Sequence, residues 1–312
     1  MKLDIIIPTL NEEESIINLY NEIDKELNDI KYNIIFVDDG STDNTLNILK
    51  DLYNKDNKHI KVLSFSRNFG KDAAIHAGLI HSKAEYAVII DADLQQHPRY
   101  VKQMLNYIEE HKEYDVVCMV NSYKNDNIIN KIGKHFFYKI MRKASKQEYK
   151  EGASDFRLMK HTVVKSLISM NETNRFTKGL FSYVGYKTHY INYTPDKRLY
   201  GKSKFKLRKQ ISYAIDGILN FSTLPLRFAS VIGGTISFAS FIYFIVILIK
   251  TLVQGKDIPG YASLMSILLI LGGLILFVLG IIGEYVSRTY IEIKNRPIYL
   301  IKEKIGYDED IL

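Results

Sequence analysis

Tyr86-Ala-Val-Ile-Ile-Asp91-Ala-Asp93-Leu-Gln95 is the stretch on which the reading of this chain turns. Ala87 to Ile90 are four apolar residues, three of them β-branched, and read as a short buried strand. The run ends abruptly in two carboxylates. Side chains of an extended chain repeat with period two, so Asp91 and Asp93 leave the strand on the same side. Gln95 follows at the same spacing and offers a third oxygen if the chain stays extended. Two carboxylates and a carboxamide oxygen form a hard, oxygen-only set that suits Mg²⁺ or Mn²⁺ rather than zinc. On this stretch alone, two solvated acids capping the helix that Pro98 begins remain the alternative.

Working outward, β-branched runs at 3–7, 33–37, 60–65, 86–90 and 115–120 alternate with amphipathic patterns at 12–27, 42–53, 71–81 and 99–111. That alternation predicts βαβ units, hence a parallel sheet covered by helices on both faces. Ligands of such sheets lie beyond the carboxyl ends of the strands. There, the first strand delivers Pro8-Thr-Leu10-Asn11-Glu12-Glu13-Glu14, where Asn11 and Glu14 have the spacing of a capping box. The second delivers Asp38-Asp39-Gly40-Ser41-Thr42, a tight turn with a helix cap and one carboxylate to spare, for which a ribose or base edge is a fitting partner. The third delivers Ser66-Arg67-Asn68-Phe69-Gly70-Lys71, two cations and a glycine at a helix entrance. A diphosphate fits there, although a solvated basic turn explains the motif as well.

Length and composition set outer bounds. A chain of 312 residues holds one large domain or two modest ones. A single cysteine, Cys118, excludes an intramolecular disulfide framework and reads as a buried core thiol. The few apolar residues between Lys2 and Pro8 predict no cleavable signal peptide. The eight histidines lack metal-ligand spacing.

From Lys197 the character changes. Lys197, Arg198, Lys202, Lys204, Lys206, Arg208 and Lys209 arrive without an acid among them, followed by an apolar stripe at helical spacing through Leu219. This predicts a basic amphipathic helix on an anionic lipid membrane and argues against nucleic acid, because two uncharged stretches follow at 228–249 and 258–283. Each exceeds the roughly 20 residues that cross a hydrocarbon core. Gly233-Gly234 and Gly272-Gly273 predict close helix packing. Basic flanks outside the pair (Arg208, Lys209, Arg227, then Arg288, Lys294, Arg296) predict both termini in the cytoplasm.

Pro8-x-x-Asn11-Glu12, Val37-Asp38-Asp39-Gly40-Ser41, Ser66-Arg67-Asn68-Phe69-Gly70-Lys71 and Asp91-Ala92-Asp93-Leu94-Gln95, in this order, resemble the family 2 glycosyltransferases of the GT-A fold. The resemblance is sharpest to the polyprenyl-phosphate glycosyltransferases, the group of dolichol-phosphate mannose synthase and the bactoprenol glucosyltransferases. The tail Gly283-Glu284-Tyr285…Arg288…Arg296-Pro297-x-Tyr299 resembles the bacterial members with two spans. Two departures stand out: Gln96 where many relatives carry Asp, and Asn121-Ser122-Tyr123-Lys124 in place of an arginine-containing segment.

The resemblance implies an α/β GT-A catalytic domain at 1–200, an amphipathic juxtamembrane segment at 201–227, two transmembrane helices within 228–286 (about 228–249 and 262–283) and a cytoplasmic tail at 287–312. It implies transfer of one sugar from a UDP-sugar donor to a polyprenyl (undecaprenyl) phosphate acceptor with inversion, glucose or N-acetylglucosamine being favoured. Pro8, Leu10, Glu12, Val37 and Asp39 match positions that hold the nucleoside, Ala92 lies inside the matched acidic motif, and Arg67 and Lys71 face the diphosphate. Asp155, an ion-pair partner of Arg157 on residue types alone, matches the acceptor side of the cleft. Arg198 and Lys204 match the arrangement near the acceptor phosphate and donor diphosphate. A homo-oligomer, a separate flippase and a downstream transferase complete the implied setting. The rival readings are a mannosyltransferase using GDP-mannose, a processive polysaccharide synthase, against which two spans and the absence of Trp argue, and an inactive GT-A-like scaffold.

Overall fold

Residues 3–9 read Leu-Asp-Ile-Ile-Ile-Pro-Thr, and in the computed structural model of the chain both alternating sets of their side chains are covered. A strand buried on two faces needs a helical layer on each. The structure describes residues 1–121, 150, 152–196, 219–220, 222–254 and 260–307. In chain order these form β1 (Leu3–Thr9), α1 (Ile16–Leu27), β2 (Tyr32–Asp38), α2 (Thr45–Lys55), β3 (Ile60–Phe65), α3 (Lys71–His81), β4 (Tyr86–Ile89), α4 (Arg99–Glu110), β5 (Val116–Asn121) and β6 (Ala153–Lys160). There follow α5 (His161–Ile168), α6 (Thr177–Tyr183), β7 (Thr188–Tyr193), α7 (Leu224–Gln254), α8 (Tyr261–Ile293) and β8 (Ile301–Ile305).

The sheet order is β7-β5-β6-β4-β1-β2-β3-β8. β1 is parallel to β2 and to β4, so the strand order reverses between β1 and β4, and a crevice opens beyond their carboxyl ends. On one face Ile5, Ile7, Ile34, Phe36, Val62 and Val88 pack with α1, α2 and α4. On the other, Ile6, Ile35, Val37, Leu63 and Ile89 meet α3 and α5. At the amino end, the buried Asp4 carboxylate accepts from Asn33 Nδ2 (2.8 Å), Ser82 Oγ (2.9 Å) and the N–H groups of Lys83 (2.7 Å) and Ala84 (2.9 Å). A buried carboxylate so satisfied pins the start of β4 beside β1.

The five strands and four helices read from the sequence are all present, with ends moved by a few residues. The mostly parallel sheet, covered on both faces, is that of the GT-A fold class. Three further strands complete it. β6 runs antiparallel to both β4 and β5, β7 is the edge beside β5, and β8 runs antiparallel to β3. Residues 301–305, which the sequence reading leaves in a tail beyond the spans, thus close the open edge of the sheet. Tyr299 stacks on Phe65 with ring centroids 4.9 Å apart, and the Lys50 ammonium lies 2.7 Å from Glu303.

α7 and α8 are 31 and 33 residues long, and each contains a stretch long and apolar enough to cross a membrane. At about 1.5 Å per residue α8 is roughly 50 Å long, well beyond the ~30 Å hydrocarbon core, so one end must project from it. The expected close packing at the glycine pairs is not seen among the described residues: a Cβ at Gly233, Gly234, Gly272 or Gly273 would meet none of them within 4 Å. An apolar cavity of about 490 Å³ lies between the two helices there.

α3 is wedged tightly, with every residue from Ala73 to Leu79 buried. A Cβ at Gly78 would overlap Cγ2 of Ile6, a fully buried, β-branched strand residue with little rotamer freedom. Gly78→Ala therefore lowers stability by about 1–3 kcal/mol despite the ~1 kcal/mol that alanine ordinarily gains in a helix. The midpoint of thermal unfolding of the solubilised protein checks this, and an alanine variant as stable as the parent contradicts the packing.

Candidate active site

The loops that leave β1 and β2 are zipped together by side chains. The N–H groups of Asn11 and Glu12 donate to Ser41 Oγ (2.9 Å) and Thr45 Oγ1 (2.9 Å). In return, Asn11 Oδ1 accepts from the Thr42 N–H (2.8 Å) and the Glu13 carboxylate from the Asn44 N–H (2.9 Å). Asn11 has a left-handed φ of 52°, a conformation that asparagine tolerates well. Its side chain therefore braces the neighbouring loop and does not cap α1 as the capping-box spacing predicts. α1 begins only at Ile16, behind Ser15, whose Oγ donates to the Glu12 carboxylate (3.0 Å).

The Asp38–Asp39 pair holds the next layer. Asp38 accepts from the Ser41 N–H (3.1 Å) and Ser64 Oγ (2.9 Å). Asp39, expected to have a carboxylate to spare, accepts from the N–H groups of Phe69 (2.6 Å) and Gly70 (3.0 Å). Burial pushes its carboxyl above the usual range, and those two donors partly offset this. Gly40 has φ 68°, and a Cβ on it would approach within 2.5 Å of the Arg67 carbonyl carbon, so only glycine lets the two turns touch. Together these contacts fix the 66–70 turn and the start of α3.

That start carries Lys71. In a βαβ unit the amino end of the helix returns to the carboxyl edge of the sheet, which brings Lys71 to the ends of β4 and β6. Its Nζ lies 2.6 Å from Asp91 Oδ1 and 3.2 Å from Asp155 Oδ2. The β4–β6 ladder is antiparallel and ends with Ile89 opposite Arg157, so Asp91 and Asp155 each lie two residues beyond its last pair. Neighbouring carboxylates repel, and the ammonium that contacts both resolves the repulsion. Burial alone would lower the Lys71 ammonium, but Asp91 and Asp155 outweigh it and raise its pKa. For Asp155, burial works to raise the carboxyl, yet Lys178, Lys71 and Arg157 outweigh it and hold it well below the carboxylate range. Asp155 Oδ1 is buried and accepts no hydrogen bond among the described residues.

Beyond Ile89 the chain does not stay extended. Leu94 has φ 59°, residues 92–96 form a turn, and the Gln95 N–H donates to Asp93 Oδ1 (3.1 Å). The positions of Asp93 and Gln95 are thus set by the turn and not by an extended strand, although 91, 93 and 95 remain the less buried set of the 91–96 segment. Gln96 accepts the Asp91 N–H (2.9 Å) and donates to Asp91 Oδ2 (3.0 Å). Pro8, Leu10 and Glu12 border the crevice at the end of β1, Ala92 is buried, and the Val37 side chain belongs to the core beside α3. The Arg67 guanidinium lies 3.9 Å over the Phe69 ring. Arg198, Lys204 and Lys124 lie outside the described residues. Sequence reasoning assigned no role to Gln96 or Lys178. The signal for Lys178 was its place in Asn174-Arg175-Phe176-x-Lys178, and for Gln96 its departure from the family pattern.

The hard oxygens of Asp91 and Asp93, the orphaned Asp155 Oδ1 and a site already built around a cation fit a divalent metal ion. Among the described residues Glu22, Glu26 and His97 also come within ligand distance of one another. There His97 Nδ1 accepts the Arg99 N–H (3.1 Å), which leaves the ring proton on Nε2, toward Glu22, and denies a metal that nitrogen.

On its other side, Lys71 borders the long apolar helix α8. A cavity of about 420 Å³ runs from Lys71 and Asp72 past Arg175 to Glu284 and Arg288 of α8. Its walls are bolted: the Thr173 N–H donates to Glu292 (3.1 Å), Arg288 Nη1 to Asn220 Oδ1 (2.7 Å), and Tyr285 Oη to the Ser222 carbonyl (2.7 Å).

Comparisons with known proteins agree along the chain. Residues 4–168 match the family described as glycosyl transferase family 2, and residues 224–289 match the GtrB C-terminal hairpin. The putative glycosyltransferase CsbB of Bacillus subtilis (strain 168) is 40% identical over 304 residues, covering 96% of this chain and 91% of its own. The SfII prophage-derived bactoprenol glucosyl transferase of Shigella flexneri is 37% identical over 305 residues, covering 97% of this chain and 98% of its own. Among solved structures, glucosyl-3-phosphoglycerate synthase from Mycobacterium tuberculosis, in complex with Mn²⁺, UDP and phosphoglyceric acid, superposes with a TM-score of 0.50 at 16% identity, over 70% of this chain and 76% of that one. The catalytic sheet, its acidic edge and the apolar hairpin thus have one origin: the chain belongs to glycosyl transferase family 2 and is a hexosyltransferase of the GT-A fold.

Proposed function

We propose that the protein transfers one hexosyl unit, glucose or N-acetylglucosamine, from a UDP-sugar to a polyprenyl phosphate of the undecaprenyl type at the cytoplasmic face of the cell membrane. The observation that carries this reading is the cavity that joins Lys71, in the acidic cluster, to Glu284 and Arg288 on the polar end of α8. A soluble acceptor has no need of such a junction. An isoprenoid phosphate, with its tail in the hydrocarbon and its head at the surface, does. The names of the relatives, bactoprenol glucosyl transferases among them, support the same acceptor class.

In this reading Pro8, Leu10, Glu12 and Asp39 frame the nucleoside crevice at the ends of β1 and β2, with Val37 supporting it from the core behind, Ala92 walls it, and Arg67 and Lys71 face the diphosphate. Asp91 and Asp93, with Gln95 beside them, would hold Mg²⁺ or Mn²⁺, whose contribution is to neutralise charge on the departing UDP. An acceptor phosphate oxygen forms the bond to the anomeric carbon while the bond to UDP breaks on the opposite face, the electron pair leaving with UDP. The acceptor needs no strong base, since the second pKa of a phosphate monoester is about 6. Asp155, held anionic by Lys178 and Lys71, suits an orienting role better than proton abstraction. Arg198 and Lys204 are assigned to the two phosphates as the sequence reading had them.

The pairing of β8 with β3 supports an orientation with the catalytic sheet and the chain after α8 on one side, as two crossings would give. The basic flanks support the cytoplasm as that side.

Membranes incubated with radiolabelled UDP-glucose, UDP-N-acetylglucosamine and GDP-mannose are expected to pass label from one UDP-sugar into the lipid fraction. Label entering lipid only from GDP-mannose, or from none, refutes the proposal. Asp93→Asn is expected to lose several kcal/mol of transition-state stabilisation, on the order of a 10³-fold drop in transfer, with an unchanged unfolding midpoint; near-normal transfer that resists a chelator rules out the metal assignment. A reporter fused after Leu312 is expected to be active only in its cytoplasmic form and one inserted near Gly255 only in its external form, and the opposite pattern excludes the orientation.

A further inference from the structure

The two oxygens of the Asp91 carboxylate are used differently. Oδ1 meets Lys71 at 2.6 Å, in the crevice. Oδ2 accepts from Gln96 Nε2 at 3.0 Å, and Gln96 Oε1 accepts the Asp91 backbone N–H at 2.9 Å. Gln96 is 6% exposed, so both bonds are shielded from water that could replace them. Only a side chain with a donor and an acceptor on one planar head satisfies both atoms together. A carboxylate lacks the donor and a thioether lacks a usable donor altogether. The two bonds also close the 91–96 turn, in which Leu94 holds φ 59° and Asp93 Oδ1 accepts the Gln95 N–H.

We infer that Gln96 is a positioning residue of the donor site: it locks the rotamer of Asp91 and the shape of the 91–96 turn, so that Asp91 Oδ1 and the Asp93 carboxylate are aimed into the crevice before a nucleotide arrives. The inference rests on the donor-site reading of Asp91 and Asp93 given above. A group that is aimed beforehand need not be ordered at the cost of binding energy, and loss of such an outer partner typically weakens a metal site 10–100-fold.

The test is calorimetric titration of the full chain in detergent with UDP in the presence of Mn²⁺, alongside donor KM and kcat. Gln96→Met keeps the length of the side chain and removes both hydrogen bonds; Gln96→Asn keeps the groups and withdraws them by one methylene. Each is expected to weaken Mn²⁺-dependent UDP binding, and to raise the donor KM, by about 10-fold, with a smaller change in kcat. Because Gln96 acts partly through the Asp91 side chain, the double variant Asp91→Asn/Gln96→Met is expected to lose clearly less affinity than the product of the two single losses. Unchanged affinity in both single variants overturns the role, as do losses that multiply in the double variant. A parent protein that binds no UDP with Mn²⁺ overturns the donor-site reading itself, a result recognisable without any variant.

Discussion

Two carboxylates gathered at the end of β4 and the start of β6, and the ammonium that reconciles them, set the terms for the rest of the catalytic domain. Asp91 and Asp155 each lie two residues beyond Ile89 and Arg157, the last pair of the β4–β6 ladder, and Lys71 reaches both. The repulsion is tolerable only with a cation in reach, so α3 must begin where Lys71 meets both. Placing α3 there in turn requires the 66–70 turn that Asp39 pins and Gly40 permits, and the close seat on the sheet that Gly78 allows. A site that is already a balanced assembly of charges needs little rearrangement to accept a second cation and a diphosphate.

The central half of this architecture was legible in the sequence for a physical reason. β1 to β5 are covered on both faces or nearly so, and such strands must be continuous apolar runs. β6 was hidden because Ala-Ser-Asp-Phe-Arg-Leu-Met-Lys carries the ions of the site inside the strand itself. β8 was hidden because Ile-Lys-Glu-Lys-Ile is an edge strand with one wet face and no hydrophobic run. Asp91, Asp93 and Lys71 could be picked out from their places at strand ends and a helix start, but the approach of Asp91 and Asp155 could not, since it depends on the pairing of a strand that the pattern did not reveal. The spacing arguments at Gln95 and Asn11 were counted along regular elements that the left-handed Leu94 and Asn11 interrupt.

The hairpin is more than an anchor. The projecting end of α8 is held by Thr173, Asn220 and Ser222, and the segment it grips runs directly into Arg175, Thr177 and Lys178. Arg175 spans the Leu167 and Met170 carbonyls at the end of α5, and the Thr177 N–H donates to Asp72 (3.2 Å), the residue after Lys71. The last turns of the long apolar helix α8 are thus two or three contacts from Lys71 and Lys178, and the distance between the apolar hairpin and the acidic cluster is fixed by a rigid rod.

The final strand of the sheet has a consequence for how the protein is made. Roughly 235 residues separate Phe65 from Ile301, and at about 5–20 residues per second a ribosome spends on the order of 10–50 s between them. Throughout that interval the hydrogen-bonding edge of β3 waits without its neighbour, and α7 and α8 are both synthesised before the strand that covers it. That edge therefore cannot close until the whole apolar hairpin has left the ribosome, and a chain that stops short of Ile301 leaves β3 open.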